Sequence, residues 1–228
     1  MIVVFLHGSG CTSIVWQQQL SDFENSIALD FPGHPEGEAL NSVNDLTEWL
    51  LRYIDKNSLS DIVLVGHSLG SAVAMQAAIL GHKELKALVL IGAGARLKVI
   101  PQLLSGLSDL VEKGGDVPDY LLSSNQKIEE PLRTKINLAI KRNGASVMLQ
   151  DFNACDNFDV MGRLVDINIP VQIIVGEKDQ MTPMKYATFL AEKLPKASLE
   201  VVDNSSHMVF AEKADTVNQV IRSFLAKL

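Results

Sequence analysis

The stretch Asp61-Ile62-Val63-Leu64-Val65-Gly66-His67-Ser68-Leu69-Gly70 runs straight into Ser71-Ala72-Val73-Ala74-Met75-Gln76-Ala77-Ala78-Ile79-Leu80. Ile62–Val65 is a short apolar run bounded by polar residues and reads as a buried β-strand. Ser71–Leu80 reads as a helix packed against the body of the protein. Between them, Gly66-His67-Ser68-Leu69-Gly70 fits the pattern G-x-S-x-G. A serine at so abrupt a strand-to-helix turn is forced into a strained backbone conformation, and the flanking glycines are needed because a Cβ there would collide with neighbouring chain. The turn pushes the Ser68 hydroxyl out of the sheet, beside the free N–H groups of the helix start.

Working outward, further apolar runs predict strands at Ile2–Leu6, Ser26–Asp30, Ala87–Ile91, Val171–Val175 and Ser198–Val202. Near-continuous Val/Ile/Leu runs are what parallel strands show when helices cover both faces of a sheet. Val43, Leu46, Trp49, Leu50, Tyr53 and Ile54 follow helical spacing and predict an amphipathic helix. Thr182-Pro183 reads as an N-cap followed by proline at the first helical position, which predicts a helix over Met184–Leu194. Phe210, Ala214, Val217, Ile221, Phe224 and Leu228 mark the apolar stripe of one last helix. The alternation of strand and helix predicts an α/β fold: a mostly parallel, doubly wound sheet of about six strands.

One stretch breaks the rhythm. From Arg96 to Asp166 no strand is predicted, only helical patterns over Leu103–Val111, Pro131–Lys141 and Ala145–Phe152. This is far longer than an ordinary connection in a compact α/β unit. It reads as a helical insertion, residues 96–166, over the carboxyl edge of a core made of residues 1–95 and 167–228; ligands of open α/β sheets bind at that edge.

The chain has 228 residues, a length suited to one domain, and can bury roughly 70–75% of its unfolded surface without disulfides or metal. A hydrophobic content of 47% agrees with a well-buried globule. The net charge of −7, with no clustered Lys and Arg, argues against a nucleic-acid or anionic-membrane surface. Cys11 and Cys155 lie far apart and match no metal-ligand spacing, which suits free thiols in a reducing compartment. The opening residues have no basic region and too short an apolar run for a signal or membrane span, so a cytoplasmic location is expected.

A serine hydroxyl is a poor nucleophile. It needs a base to take its proton and a third group to orient that base. His207 lies in Asn204-Ser205-Ser206-His207-Met208, directly after the last predicted strand, and is the candidate base. Asp179, in Gly176-Glu177-Lys178-Asp179 after the preceding strand, is the candidate orienting acid; Glu177 is its rival, and a carboxylate near a helix start is the alternative for Asp179. An oxyanion needs backbone N–H donors. Leu69, just after Ser68, supplies one, and the tight loop His7-Gly8-Ser9-Gly10 after the first strand supplies the other, unless it is a plain Gly-rich turn. No pair among His7, His34, His67 and His82 has zinc-site spacing, so these four read as structural or surface residues. Cys11, just beyond the loop, is a thiol either beside the pocket or packed and inert.

Taken together, these blocks resemble the α/β-hydrolase superfamily, particularly its small, capped serine esterases. His7-Gly8-Ser9-Gly10 followed by Val15-Trp16 resembles the family's oxyanion-loop block, Asp30-Phe31-Pro32-Gly33-His34 its "D-x-P-G-H" block, Gly66–Gly70 its nucleophile elbow and Gly176–Asp179 its acid-bearing turn. The resemblance implies the roles nucleophile, acid and base for Ser68, Asp179 and His207. It gives Ser9 and Leu69 the oxyanion N–H groups, and makes the insertion a cap that shapes the pocket. Two departures stand out. Only six residues precede His7, so the two antiparallel strands that usually come first are expected to be missing. Pro35-Glu36-Gly37 replaces the usual Gly-x-Ser, in a loop read as structural. Relatives that open epoxides or remove halides carry Asp at the elbow; Ser68 points instead to acyl chemistry.

The expectation is therefore a cofactor-free, metal-free serine hydrolase acting through an acyl-enzyme on small or medium apolar carboxylic esters. Leu103, Leu104, Phe152, Phe158 and Met161 are candidates for the pocket lining or for cap core. Hydrolysis of C–C bonds, thioesters or lactones by the same triad is the alternative, and a ligand sensor keeping the triad is a more distant one. The partner expected is a small-molecule acyl substrate, with no nucleic acid and no membrane; the oligomeric state is not legible.

Overall fold

The computed structural model describes residues 1–228. Six strands, β1 (Ile2–Leu6), β2 (Ser26–Leu29), β3 (Ile62–His67), β4 (Leu85–Ile91), β5 (Val171–Gly176) and β6 (Ala197–Val202), form one sheet in the order β2-β1-β3-β4-β5-β6. Every pairing is parallel. The helices are α1 (Gln17–Leu20), α2 (Val43–Lys56), α3 (Leu69–Ile79), α4 (Pro101–Glu112), α5 (Leu132–Asp156), α6 (Met184–Lys193), α7 (Val209–Glu212) and α8 (Ala214–Leu225). No helix is long and apolar enough to cross a membrane.

The sheet residues divide between two cores. Val4, Leu6, Leu64, Leu88, Leu90 and Ile173 pack against α2, α3 and α6 on one face. Val3, Phe5, Val63, Val65, Val89 and Ile174 pack on the other against Trp16, Phe210 and α8. Alternate residues of the central strands thus face opposite layers, which is why β1 and β3 are apolar on both faces, whereas the edge strand β6 alternates half-buried and exposed residues. Ser42 caps α2 by accepting from the Asp45 N–H at 3.1 Å, and Pro101 opens α4 at a position where its missing N–H is harmless.

Several helical expectations are modified. The stretches predicted over Pro131–Lys141 and Ala145–Phe152 adjoin directly, broken only by the non-helical Gly144 (φ 84°, ψ 172°). The last helix is two pieces, because Lys213 leaves helical geometry between α7 and α8. Thr182 does not cap α6: Pro183 occupies that position, and the Thr182 hydroxyl is engaged elsewhere.

The connections from β1 and β3 leave toward opposite edges of the sheet, since β1 is followed by the outer strand β2 and β3 by β4. Their carboxyl ends therefore flank a crevice. Register pairs Leu6 with Gly66 and His67 with Ile91, so the residues after β1, β3 and β4 emerge at one level. α4, α5 and the short helical turns between them lie between β4 and β5 in the chain.

Candidate active site

Ser68 sits at the β3–α3 junction with φ 51° and ψ −114°, a conformation L-residues adopt only under constraint. The constraint is close packing. A Cβ on Gly66 would come within 2.3 Å of the Gly70 carbonyl oxygen, and one on Gly70 within 2.3 Å of the Leu6 carbonyl oxygen. The Ser68 N–H is held by the Ile91 carbonyl at 3.0 Å. The Ser68 hydroxyl has no hydrogen-bond partner within the protein, and the residue is half-buried at the crevice floor.

His207 and Asp179 arrive from the β6–α7 and β5–α6 connections. Asp179 Oδ2 accepts from His207 Nδ1 at 2.8 Å, and each residue is 5% exposed. Asp179 is itself fixed by the N–H groups of Met181 and Thr182, both 2.9 Å from Oδ1, and by the Thr182 hydroxyl, 2.8 Å from Oδ2. Burial disfavours its charge, but the hydrogen bond and charge of His207, with the Thr182 donors, outweigh that and hold its pKa below the usual carboxylate value. Glu177, the rival acid, is exposed and accepts from the Asn204 N–H at 2.9 Å.

The His207 ring lies against that of His67, centroids 4.6 Å apart, and His67 Nε2 donates to the His207 carbonyl at 3.1 Å. Burial first, then the neighbouring His207, push the His67 pKa well down, so this ring stays neutral with a bare, buried Nδ1. His207 Nε2 makes no hydrogen bond within the protein. His207 borders a cavity of about 240 Å³ that Ser68 and Ser9 also border. Ser68 and His207 are brought to one cavity without a direct hydrogen bond.

The loop after β1 approaches from the opposite side. A Cβ on Gly8 would lie 3.2 Å from Ser68 Cβ, so loop and elbow are in contact. The N–H groups of Ser9 and Leu69 have no acceptor within the protein. A second cavity, about 200 Å³ and mostly apolar, also opens on Ser68, with Leu97, Val99, Ile100 and Tyr186 in its wall. Leu103, Phe152 and Met181 border both cavities. Of the other residues read as pocket candidates, Leu104 borders neither. Phe158 is buried in the α2–α3–α6 core and Met161 faces a separate depression.

Of the histidines read as structural or surface, His7, His34 and His67 are buried, and His82 meets Asp55 at 3.3 Å. No three His, Cys, Asp or Glu side chains converge as metal ligands. Cys11 and Cys155 are both free and buried, each bordering one of the two cavities. Burial pushes each thiol up to about 12, which leaves almost no thiolate at neutral pH. Cys11 is thus beside the pocket, yet as unreactive as a packed thiol.

Sequence reading missed Thr182 as the partner of Asp179, although its place three residues later was a usable signal. It also missed Asn143 and Asp151, for which no local pattern exists; His67, read as structural or surface, is buried against His207.

Residues 3–220 match the model of the alpha/beta hydrolase family, and the chain belongs to that family. It is 25% identical over 219 residues to "Putative esterase/lipase 2" of Mycoplasma genitalium, covering 90% of this chain and 82% of that one. It is 29% identical over 243 residues to the "Dihydrolipoyllysine-residue acetyltransferase component of acetoin cleaving system" of Pseudomonas putida, spanning 99% of this chain but 63% of that protein. Among solved structures, one titled "Structure of a thermophilic esterase" superposes with a TM-score of 0.84 at 32% identity, over 99% of this chain and 89% of that one.

Proposed function

We propose that this protein is a serine hydrolase, a carboxylesterase for small or medium apolar esters. The observation that carries the reading is the oriented Asp179–His207 pair opening on the same cavity as a strained, unpartnered Ser68. Ser68 Oγ attacks the carbonyl carbon while His207 Nε2 takes its proton. The carbonyl oxygen gains the negative charge and meets the Ser9 and Leu69 N–H groups. As the tetrahedral adduct collapses, His207 returns that proton to the departing alcohol oxygen, leaving the acyl group on Ser68. Water then gives a proton to His207 Nε2 and attacks the acyl carbon; as that adduct collapses the bond to Ser68 Oγ breaks, His207 returns the proton to Oγ, and the carboxylic acid leaves. Asp179 keeps the proton of His207 on Nδ1, so that Nε2 offers its lone pair, and stabilises the imidazolium that forms.

The apolar walls Leu97, Val99, Ile100 and Leu103 support an apolar group on one side of Ser68. In this reading residues 96–166 are a cap on a core of 1–95 and 167–228, and the partner is a small-molecule ester rather than nucleic acid or membrane. A cytoplasmic setting belongs to the same proposal and draws support from the two unpaired thiols.

Ser68→Ala should lower kcat on p-nitrophenyl butyrate by about 10⁴–10⁶-fold. Unchanged turnover in the folded variant contradicts the reading. A panel adding acyl thioesters, lactones and β-diketones tests the substrate: Ser68-dependent turnover confined to those compounds replaces the esterase assignment.

A further inference from the structure

The loop that carries Ser9 is held from outside the sheet on every side of Gly10. The Gly10 N–H donates to Asp151 Oδ2 at 2.7 Å. The carbonyls of Gly10 and Cys11 accept from Asn143 Nδ2 at 2.9 and 3.0 Å. A Cβ on Gly10, which has φ +69°, would stand 3.1 Å from Met148 Cε. Asn143, Met148 and Asp151 all belong to α5, and the break at Gly144 separates Asn143 from the turn that carries the other two.

Asp151 is 1% exposed, and a carboxylate so buried needs a counter-charge. His34 supplies it. Its Nε2 lies 2.9 Å from Asp151 Oδ2, and its Nδ1 lies 3.2 Å from the carbonyl oxygens of both Phe31 and Pro32. Both ring nitrogens therefore face only acceptors, which makes the ring an imidazolium. Burial opposes that charge, but the hydrogen bond and charge of Asp151 and the two carbonyls outweigh it, raising the His34 pKa. The other titratable ring facing it, His7, is 4.8 Å away between centroids. His7 donates from Nδ1 to the Gly8 carbonyl at 2.9 Å and accepts at Nε2 from the Phe31 N–H at 3.1 Å, a neutral arrangement. Burial and His34 push its pKa down to about 3. The thiols of Cys11 and Cys155, the remaining titratable groups around Asp151, are protonated.

We propose that Asp151 and Asn143 are positioning residues for the oxyanion site. α5 clamps the peptide groups on either side of Gly10 and so aims the Ser9 N–H, while the His34 imidazolium cancels a buried negative charge that would oppose the oxyanion. This inference rests on the serine-hydrolase reading. It gives His34 a task beyond loop structure: charge near a forming oxyanion is poorly screened in the interior, so a bare Asp151 carboxylate would destabilise the transition state without touching the substrate.

The test combines steady-state kinetics on p-nitrophenyl butyrate with amide hydrogen exchange over residues 8–11, on variants shown by circular dichroism to be folded. Asn143→Ala, at a half-buried position, should lower kcat by about 10–100-fold and leave KM within about threefold, the pattern of a misaimed transition-state donor. His34→Gln should lower kcat by a similar factor. The double variant His34→Gln/Asp151→Asn should recover most of that loss, because it removes the uncompensated carboxylate and keeps an acceptor for the Gly10 N–H. Asp151→Ala and Asn143→Ala should speed exchange of the Gly10 amide; Asp151→Asn should speed it far less. Wild-type kcat in Asn143→Ala and His34→Gln, changes confined to KM, or a double variant no faster than His34→Gln would overturn the inference. If the wild type shows no Ser68-dependent turnover, the hydrolase reading falls and with it the oxyanion role. The exchange data then judge the clamp alone, and unchanged Gly10 protection refutes that too.

Discussion

Two buried histidine–aspartate pairs flank the crevice, nearly equal in length at 2.8 Å for His207–Asp179 and 2.9 Å for His34–Asp151. They differ in what the other ring nitrogen meets. His34 Nδ1 faces two main-chain carbonyls, so its proton has nowhere to go. His207 Nε2 has no partner within the protein, and His207 borders the cavity shared with Ser68. The carboxylates differ as well: Asp179 accepts from side-chain and main-chain donors of its own turn, whereas Asp151 reaches across to the Gly10 N–H of a distant loop. A pair with a free edge on a cavity can pass a proton to what enters it, whereas a pair enclosed on all sides can only fasten the segments it joins.

The same substitution in both pairs should separate them most widely. Asp179→Asn is expected to lower kcat by about 10⁴-fold, because the amide no longer holds His207 in the required tautomer. Asp151→Asn should lose far less, since its amide oxygen still accepts from Gly10. Comparable losses in the two variants, measured as kcat on one ester, would erase the distinction.

A smaller effect concerns stability. The raised pKa of His34 means that its contribution is complete below its ordinary 6.5 and is lost as pH rises through the higher folded-state value. The lowered pKa of Asp179 means the opposite: its contribution is present above the ordinary 3.8 and is lost as pH falls through the folded-state value. Melting temperatures across pH should therefore decline less steeply on the alkaline side in Asp151→Asn and on the acid side in Asp179→Asn. The differences should be a few degrees, at about 2–4 °C per kcal/mol for a chain of this size. Parallel curves for the variants and the wild type would break the assignment.

The sheet was legible because its central strands are buried on both faces, and each predicted run coincides with a strand to within two residues at either end. The elbow was equally plain, since Gly66 and Gly70 are required by main-chain contacts that no side chain could replace. The turn carrying Asp179 falls directly after β5, where the sequence placed it, but Thr182 was taken for a helix cap because threonine before proline can serve that use. Its hydroxyl instead meets Asp179. The α4–α5 stretch was legible only as helix. Which faces of α5 meet the β1 loop depends on Gly144 and on packing between residues more than a hundred positions apart, so nothing local singled out Asn143, between two predicted helices, or Asp151, inside one. His34 was hidden for the same reason: its partner lies 117 residues away.

In the proposed reaction Ser68 attacks an acyl carbon whose oxygen then sits between the Ser9 and Leu69 N–H groups. A crystal structure of the enzyme after reaction with a fluorophosphonate tests it directly. The expected result is a phosphorus–Oγ bond at Ser68, the phosphoryl oxygen within about 3 Å of both N–H groups, and His207 Nε2 within hydrogen-bonding reach of the adduct. Phosphorus on another residue, or a phosphoryl oxygen turned away from Ser9 and Leu69, would contradict it.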